Sequence, residues 1–366
     1  FWYKKGRDKK YLSDNVYYKP DDKSEKDKPI WTREFLPTVY HPIQGLTPSQ
    51  VGTIVDEMVD IHDIVAEIIE LARLGFLKIE KIEKKKLLGK SGDYSFIKLK
   101  EDVDGLNDYQ AYMLESLFDK EATSATIIEI EKFFGNDDKE LKKYLSLATD
   151  QKYVLLSGLK NIFYTHLEEI RKKLYKSLTD KALFDGNPDT VRLKWSGIFV
   201  GMDVVSGFFL FLFFNSTANF VPIVVLGVLS IPSFFFALSM PRKTAWGYAL
   251  YRQIKGLAFY IAKGKWRHEI AEKNMFFEEM IPLAISLEVV DKLAKDMQDL
   301  EVVPPKYFTG FTTATLSSDL TRFESQASSS LMSTPSGKGS SSWSGGSGFS
   351  GGFSGGGFGG GGGGSW

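Results

Sequence analysis

The side chains that most often carry chemistry in proteins are sparse and scattered in this sequence. The histidines His41, His62, His166 and His268 stand far apart, and no pair has the spacing of a helical zinc site. Cysteine is absent, which removes thiolate nucleophiles, disulfides and cysteine-based zinc sites together. No nucleophile elbow, Walker A loop or kinase-type motif occurs. The sequence therefore predicts a non-enzymatic protein with no catalytic, cofactor-binding or metal-binding residues.

One ionisable residue stands out because of its surroundings. Asp203 is the only charge in WSGIFVGMDVVSGFFLFLFF, residues 195–214. A carboxylate at the centre of a membrane costs about 2.5–3.5 kcal/mol on insertion scales, so its presence there calls for a reason. Two interpretations stay open: a proton or ion relay in a larger bundle, or a protonated carboxyl that holds two helices together. The candidate polar partners are the hydroxyls of Ser206, Ser230 and Ser233.

Two apolar runs in the middle of the chain predict a transmembrane hairpin. The second run, residues 218–240, carries no charge, and the short connection NSTAN (215–219) favours an antiparallel pair. Each run covers the roughly 30 Å hydrocarbon core at about 1.5 Å per residue. The alternative is a buried helical hairpin in a soluble domain.

Basic residues flank both outer ends of this hairpin, Arg192 and Lys194 before it and Arg242 and Lys243 after it. Because such residues are retained in the cytoplasm, both long flanks are predicted to be cytoplasmic in a bacterial cell membrane. The opening FWYKKGRDKK has aromatics followed by cations, as at the cytoplasmic end of a membrane helix. It is expected to end a truncated upstream helix, with an ordinary polar tail as the alternative.

The region before the hairpin predicts two small modules resembling winged helices. In the first, Thr47, Pro48 and Gln50 form a capping box with proline at the first helical position. A second helix with a three-and-four apolar stripe ends at Gly75, and two strands follow around the turn LGKSGD. The second module repeats the order approximately, with helices and then one strand. Its helices are predicted to start at Asn107, Thr126 and Asp137.

The charge distribution argues against nucleic acid as a partner. Lys+Arg and Asp+Glu balance at 46 each, so no bulk charge draws the chain to phosphates. The helix that would enter a DNA groove carries Asp63, Glu67 and Glu70 against the single cation Arg73. Because phosphate neutralisation supplies most non-specific affinity, this acidic face favours protein partners, including a second copy of the chain.

The region after the hairpin is predicted to be helical and amphipathic as far as residue 308. One interpretation places its first helix along the cytoplasmic membrane surface; the other packs it on the first cytoplasmic domain. Pro282 is expected to open or break a helix. Beyond residue 308, the Ser- and Gly-rich composition predicts a disordered tail, either weakly adhesive or a flexible tether. The residues predicted to contact the membrane surface are Trp246, Tyr251, Arg252, Lys255, Phe259 and Trp266.

The order of these parts resembles the YciQ-like predicted membrane proteins of the DUF2207 family, downstream of their extracytoplasmic domain. The best local signatures are LTPSQVG, LARLGFLKI and FFEEMIPLAISL. The likeness covers nearly the whole chain. It implies an architecture of outer β-domain, membrane helix and then the present residues, but no catalytic residue.

Together these features predict a mainly α membrane protein: a two-helix transmembrane hairpin, α+β cytoplasmic winged-helix-like modules and a disordered Gly-rich tail. They favour a scaffold or signalling protein that lies in the lipid bilayer and binds protein partners through its modules and tail. Two alternatives stay open, a transport or ion-pathway component using Asp203 and a membrane-tethered nucleic-acid binder. The predicted segments are a helix end (1–3), a charged linker (4–43), the two modules (44–102 and 103–160), a helical connector (161–194), the two membrane helices (195–214 and 218–240), the amphipathic region (242–308) and the tail (309–366).

Overall fold

The computed structural model describes residues 2–20, 24–29, 35–86, 89–134, 138–213, 227–228, 230, 234–263 and 273–335. Its helices are α1 (Trp2–Lys5), α2 (Pro48–Asp56), α3 (Ile61–Arg73), α4 (Asp108–Leu117), α5 (Lys120–Phe134), α6 (Asp138–Thr149), α7 (Tyr164–Asp180), α8 (Pro188–Phe213), α9 (Ala245–Lys263), α10 (Lys273–Ser286), α11 (Val290–Asp299) and α12 (Leu316–Met332). Its strands are β1 (Lys9–Tyr11), β2 (Glu25–Asp27), β3 (Leu77–Lys86), β4 (Gly89–Lys98), β5 (Tyr153–Leu155) and β6 (Phe308–Thr309).

Helix α2 begins where its local signals predict. The Thr47 hydroxyl accepts a hydrogen bond from the Gln50 backbone N–H at 3.4 Å, and Gln50 Oε1 accepts one from the Thr47 N–H at 3.3 Å. This is the predicted capping box, which pairs N–H groups that a helix start otherwise leaves unpaired. Gly75 follows α3 with φ +77°, a conformation that glycine adopts without a steric penalty.

The second module begins as predicted but continues differently. Asn107 caps α4 in a capping box with Gln110. The predicted start at Thr126 is wrong, because α5 already begins at Lys120 and Asp119 accepts the Ala122 N–H at 2.7 Å. The third predicted start, Asp137, lies outside the described residues.

The two predicted modules share one sheet, which has strand order β5–β4–β3–β6. β5 pairs antiparallel with β4, in the register Phe96 opposite Val154, and β6 adds a short parallel edge to β3. The predicted turn LGKSGD is wrong in most of its length, because the β3–β4 pairing continues to Lys86 opposite Gly89. Separate tandem winged helices are therefore not what the described residues form.

Helix α12 covers one face of this sheet. Phe323 is fully buried and makes edge-to-face contacts with Tyr94 at 5.1 Å and Phe96 at 6.3 Å between ring centroids. The predicted disordered tail is therefore wrong for residues 309–335, although residues 336–366 lie outside the described part. Serine-rich composition misleads here because apolar residues still recur at helical spacing, at Leu316, Leu320, Phe323, Ala327 and Leu331.

Helix α3 lies in the centre of the core, so it is not a groove-facing recognition helix. Its carboxylates are buried but have partners: Glu67 accepts from Ser49 N at 3.1 Å and from Gln110 Nε2 at 2.6 Å. Glu70 pairs with Arg73 at 2.7 Å. Burial raises the pKa of Glu67 against the lowering effect of these hydrogen bonds.

Helix α10 packs on α3 and runs through Pro282 without ending there, so the predicted break is wrong. The residues that form its buried face are Phe277, Met280, Ile281, Ala284 and Ile285. Their burial contributes to the same core as α3, whose apolar stripe they cover.

The charged segment before α2 is not a solvated linker in the part that the structure describes. β1 pairs with β2, and Val16, Val39 and Ile43 are buried. The Pro37 carbonyl lies so close to Gly256 of α9 that a Cβ at that position would clash with it. The Lys and Asp content predicted solvation, but a few apolar residues between the charges suffice to attach the segment.

The first apolar run is helical in α8, as predicted. Among the described residues, none of the helices combines the length and the apolar character that crossing a bilayer requires. The bend NSTAN and most of the second run lie outside the described residues. The two-helix transmembrane hairpin is therefore not shown by the described part of the chain.

A histidine-carboxylate pair attaches α12 to α3 and predicts a pH-dependent contact. His62 Nδ1 lies 2.9 Å from Glu324 Oε1, and Glu288 and Asp60 also face this histidine. The hydrogen bond to Glu324 raises the pKa of His62, and burial opposes it. Because the pKa of His62 is higher in the folded chain than in the unfolded chain, the stabilisation from the His62–Glu324 contact is complete below about pH 6.5, the unfolded value. It is lost as the pH rises through the folded-state pKa.

We expect the protection of α12 from amide exchange to fall by about 1 kcal/mol or less between pH 6 and pH 8, since the pair is partly exposed. Hydrogen exchange measured by mass spectrometry on the whole chain checks this. His62→Gln should remove the pH dependence, and His41→Gln, which changes an exposed histidine, should keep it. An unchanged profile in His62→Gln would contradict the assignment.

Candidate functional site

The most unusual surface of the molecule is apolar and follows the two predicted membrane segments. Along α8, large apolar side chains remain exposed, with 67% of Val204 and 60% of Phe208 accessible. In the second segment, Phe234 is likewise exposed, with 57% of its surface accessible. Water-exposed apolar surface of this extent marks an interface with another protein or with lipid. The other members of the set are Leu193, Ile198, Val200, Met202, Val205, Phe209, Val228, Phe235 and Phe236.

The structure places Asp203 and Ser230 in the lining of one cavity, and the Ser230 hydroxyl donates to the Gly227 carbonyl at 3.0 Å. Both residues line a cavity of about 350 Å³ between α8 and the second segment, with Ser196 at one side. Ser206 is exposed and does not line this cavity, and Ser233 lies outside the described residues. The other residues of the lining are Phe199, Val200, Phe234 and Ala237. A carboxyl and two hydroxyls in an apolar cavity suit a hydrogen-bonded contact between helices.

Both apolar segments contact the rest of the fold at Glu57. It ends α2 with φ +68°, an uncommon conformation for a residue with a side chain. Its carbonyl accepts hydrogen bonds from Arg192 Nη2 at 2.8 Å and from the Tyr175 hydroxyl at 3.1 Å. Arg192 is buried and also reaches the carbonyl of Leu238 at 3.4 Å, so it bridges α8, α2 and the second segment.

The second segment ends at the same residue through a buried ion pair. Lys243 Nζ lies 2.6 Å from Glu57 Oε1, with only 5% of the lysine side chain exposed. Burial lowers the pKa of Lys243, but the carboxylates of Glu57 and Asp8 outweigh it, so the net shift is upward. The Lys243 backbone N–H donates to Asp8 Oδ1 at 2.8 Å, which attaches the N-terminal segment to the same point.

The remaining residues at this base divide into paired and exposed cations. Arg242 Nε donates to Asp185 Oδ2 at 2.7 Å, whereas Lys194 is exposed beside the buried ring of Trp195. Trp2 of α1 packs in the same apolar cluster, and its indole Nε1 donates to the Ser239 carbonyl at 3.1 Å. The sequence marked the cations of this base but not Glu57, which carries no local signal of a partner more than 100 residues away.

The residues predicted to contact a membrane surface mostly pack on the body instead. Arg252 is buried, and its Nη2 donates to the Phe35 carbonyl at 2.7 Å, so a surface role for it is wrong. Tyr251 and Lys255 are half-buried, and Lys19 lies 5.4 Å from the Trp246 ring. Phe259 is exposed, and Trp266 lies outside the described residues. This arrangement matches the alternative in which the helix packs on the first cytoplasmic domain.

Residues 37–297 match the family model described as "Predicted membrane protein (DUF2207) C-terminal domain". The chain belongs to the DUF2207 family. This match confirms the predicted resemblance over most of the sequence and associates the chain with a membrane. No curated protein and no solved structure matches it.

The three segments that carried the DUF2207 resemblance meet in the fold. LTPSQVG starts α2, LARLGFLKI joins α3 to β3, and FFEEMIPLAISL forms most of α10. Two of them meet at Gly52 of LTPSQVG, where a Cβ would approach the carbonyl of Ser286 in FFEEMIPLAISL at 3.0 Å and clash with the Asp63 carboxylate of α3. The signature segments therefore build the core that supports Glu57, and they do not line the Asp203 cavity.

The buried pair predicts a strongly non-additive double-mutant cycle. Glu57→Gln and Lys243→Met should each destabilise the chain by about 3–5 kcal/mol, because each leaves a buried group without its partner. The double variant should cost clearly less than the sum of the two. Chemical unfolding of the detergent-solubilised full chain measures these differences.

The exposed pair at the same base supplies the control. Asp185→Asn removes a partner from Arg242 in a solvent-accessible setting and should cost less than about 1 kcal/mol. Additive losses in the Glu57 and Lys243 cycle would show that the two side chains do not stabilise each other.

Proposed function

We propose that this DUF2207 chain is a non-enzymatic membrane-anchored interaction protein. The observation that carries the proposal is the exposed apolar surface formed by α8, Val228 and residues 234–236, next to the buried Lys243–Glu57 ion pair. Water gives such a surface no favourable contact, whereas a bilayer does. The anchor consists of residues 195–214 and 218–240 as an antiparallel hairpin, with the α+β body on the cytoplasmic side.

The described contacts support this topology in one respect. Arg192 precedes the first segment and Lys243 follows the second, and both bind Glu57. The two segments therefore start and end at one place, as a hairpin anchor requires. A winged-helix relation for the first module has less support, since α3 is buried and the sheet has four strands.

The absence of native cysteine allows a direct test of the anchor by single-cysteine labelling. Asn215→Cys should react with a membrane-impermeant maleimide from the outer side of intact cells. Lys142→Cys, on the body, should react only after permeabilisation, and Ser206→Cys should stay unreactive within the bilayer. Labelling of Asn215→Cys only after permeabilisation would reverse the proposed topology.

Partner binding is supported by a polar cleft on the body. It measures about 610 Å³ and lies between α5 and α12, near the point where the chain continues into residues 336–366. Lys132 and Lys160 stand on one side, and Asp93 accepts from the Ser157 hydroxyl at 2.5 Å within it. Mixed charges and hydroxyls suit a polar protein segment. The α12 serines that line it are Ser325, Ser329 and Ser330.

A transport or ion-pathway role is the second candidate, because Asp203 is an ionisable residue in an otherwise apolar segment and lines a cavity there. A nucleic-acid role has weaker support, because α3 presents no free basic face. The acidic residues of α3 are buried in the core, and the surface feature available for a partner is the polar cleft between α5 and α12. Protein binding is therefore preferred.

Proximity labelling in intact cells tests the preferred role. We expect a defined set of enriched cytoplasmic proteins that is reduced by Lys132→Glu/Lys160→Glu or by deletion of residues 336–366. The deletion begins after α12, because removal of that helix would disrupt the core. Asp203→Asn should leave the set intact. No enrichment over a membrane-protein control would reject partner binding, and altered ion flux in Asp203→Asn would favour the second candidate.

A further inference from the structure

The basic residues near the start of α8 and the end of the second apolar segment fall into two groups. Arg192 and Lys243 are buried against Glu57, and Arg242 binds Asp185. These cations are neutralised within the fold. A second group, Lys4, Lys5 and Lys194, is exposed and has no carboxylate partner among the described residues.

The exposed group lies at one level of the molecule. Trp2 and Trp195 belong to the same apolar cluster, together with Phe199 and Met240. Lys194 directly precedes Trp195, and Lys4 and Lys5 form the last turn of the helix that Trp2 begins. The three lysines are therefore sequence neighbours of the two tryptophans that pack together at the start of the exposed apolar surface.

We propose that Lys4, Lys5 and Lys194 form a collar that binds the phosphates of anionic phospholipid headgroups. This inference rests on the proposed membrane anchor, and it adds the lipid class that the anchor recognises. Aromatic rings followed by cations match the chemical order of a bilayer, in which acyl chains give way to phosphates. Each cation near an anionic membrane surface contributes to the attraction, and the contributions of three lysines add together.

The paired cations explain why the collar has these members and no others. Arg192 and Arg7 donate to backbone carbonyls, and Arg242 and Lys243 pair with carboxylates, so each of these cations is held by a partner within the fold. An unpaired surface lysine keeps its full charge and its flexible stem, and an ammonium is a point charge suited to a phosphate. The choice of residues therefore follows from the Glu57 base.

The test is native mass spectrometry of the detergent-solubilised full chain, titrated with short-chain phosphatidylglycerol, phosphatidylcholine of equal chain length, or inorganic phosphate. We expect preferential binding of phosphatidylglycerol. Each Lys→Gln change should weaken it about fivefold, and Lys4→Gln/Lys5→Gln/Lys194→Gln on the order of a hundredfold. Lys120→Gln/Lys142→Gln/Lys306→Gln removes the same charge elsewhere and should keep the preference.

Equal affinity for phosphatidylglycerol and phosphatidylcholine would overturn the collar, as would full binding in the first triple variant. Phosphate binding as strong as phosphatidylglycerol binding would replace a headgroup site with a free-anion site. The anchor is judged separately by the Asn215→Cys labelling. Outside labelling without lipid preference would reject only the collar, whereas inside labelling would reject the anchor whichever lipid binds.

Discussion

In this DUF2207 chain, both apolar segments (the arms: α8 and the second segment) are attached to one residue, Glu57. Its carboxylate holds Lys243 in a site that is almost closed to water, and its carbonyl receives Arg192. Removing these charges from water costs several kcal/mol, and only the short contacts between them offset it. Because Arg192 precedes the first apolar segment and Lys243 follows the second, the carbonyl and the carboxylate of one residue at the end of α2 position both segments.

The same principle explains the acidic helix at the centre of the body. Asp63 accepts from the Thr53 hydroxyl at 3.2 Å and the Asp60 N–H at 3.1 Å, while Glu67 receives Ser49 and Gln110. Each carboxylate accepts hydrogen bonds from the backbone at a helix start and from a neighbouring polar side chain. The buried acids therefore specify how α2 and α4 meet α3, and they are not a surface for a ligand.

Local signals predicted much of the fold, and non-local pairings account for the misses. The caps at Thr47 and Asn107 and the end at Gly75 are set by neighbours within four residues, so the sequence alone reveals them. The addition of β5 to β4 joins residues almost 60 positions apart, and β6 joins β3 from more than 220 positions away. No periodicity encodes such partners, which is why two modules were expected where one sheet exists.

Composition gave the wrong prediction for two polar segments that are nevertheless packed against the core. The Lys-rich segment before α2 packs because Val16, Val39 and Ile43 lie among the charges, and α12 packs because its apolar residues recur at helical spacing. The candidate site shows the same limit. The sequence could place Asp203 and Ser230 in facing apolar segments, but it could not show that Ser206, one turn beyond Asp203, is exposed and outside the cavity lining.

The position of Glu57 also constrains how a movement of the apolar arms can reach the rest of the fold. It ends α2, whose first turn donates to Glu67 of α3, so the base and the core are separated by one short helix. A displacement of the apolar arms would have to move α2 or break the Lys243 pair, and the latter costs several kcal/mol. Gly52, in the middle of α2, already touches Asp63 and approaches Ser286, which leaves little space for that helix to shift. A movement of the arms is therefore expected to displace α3 and α10, because the contacts around Glu57 and Gly52 leave little room for a local adjustment.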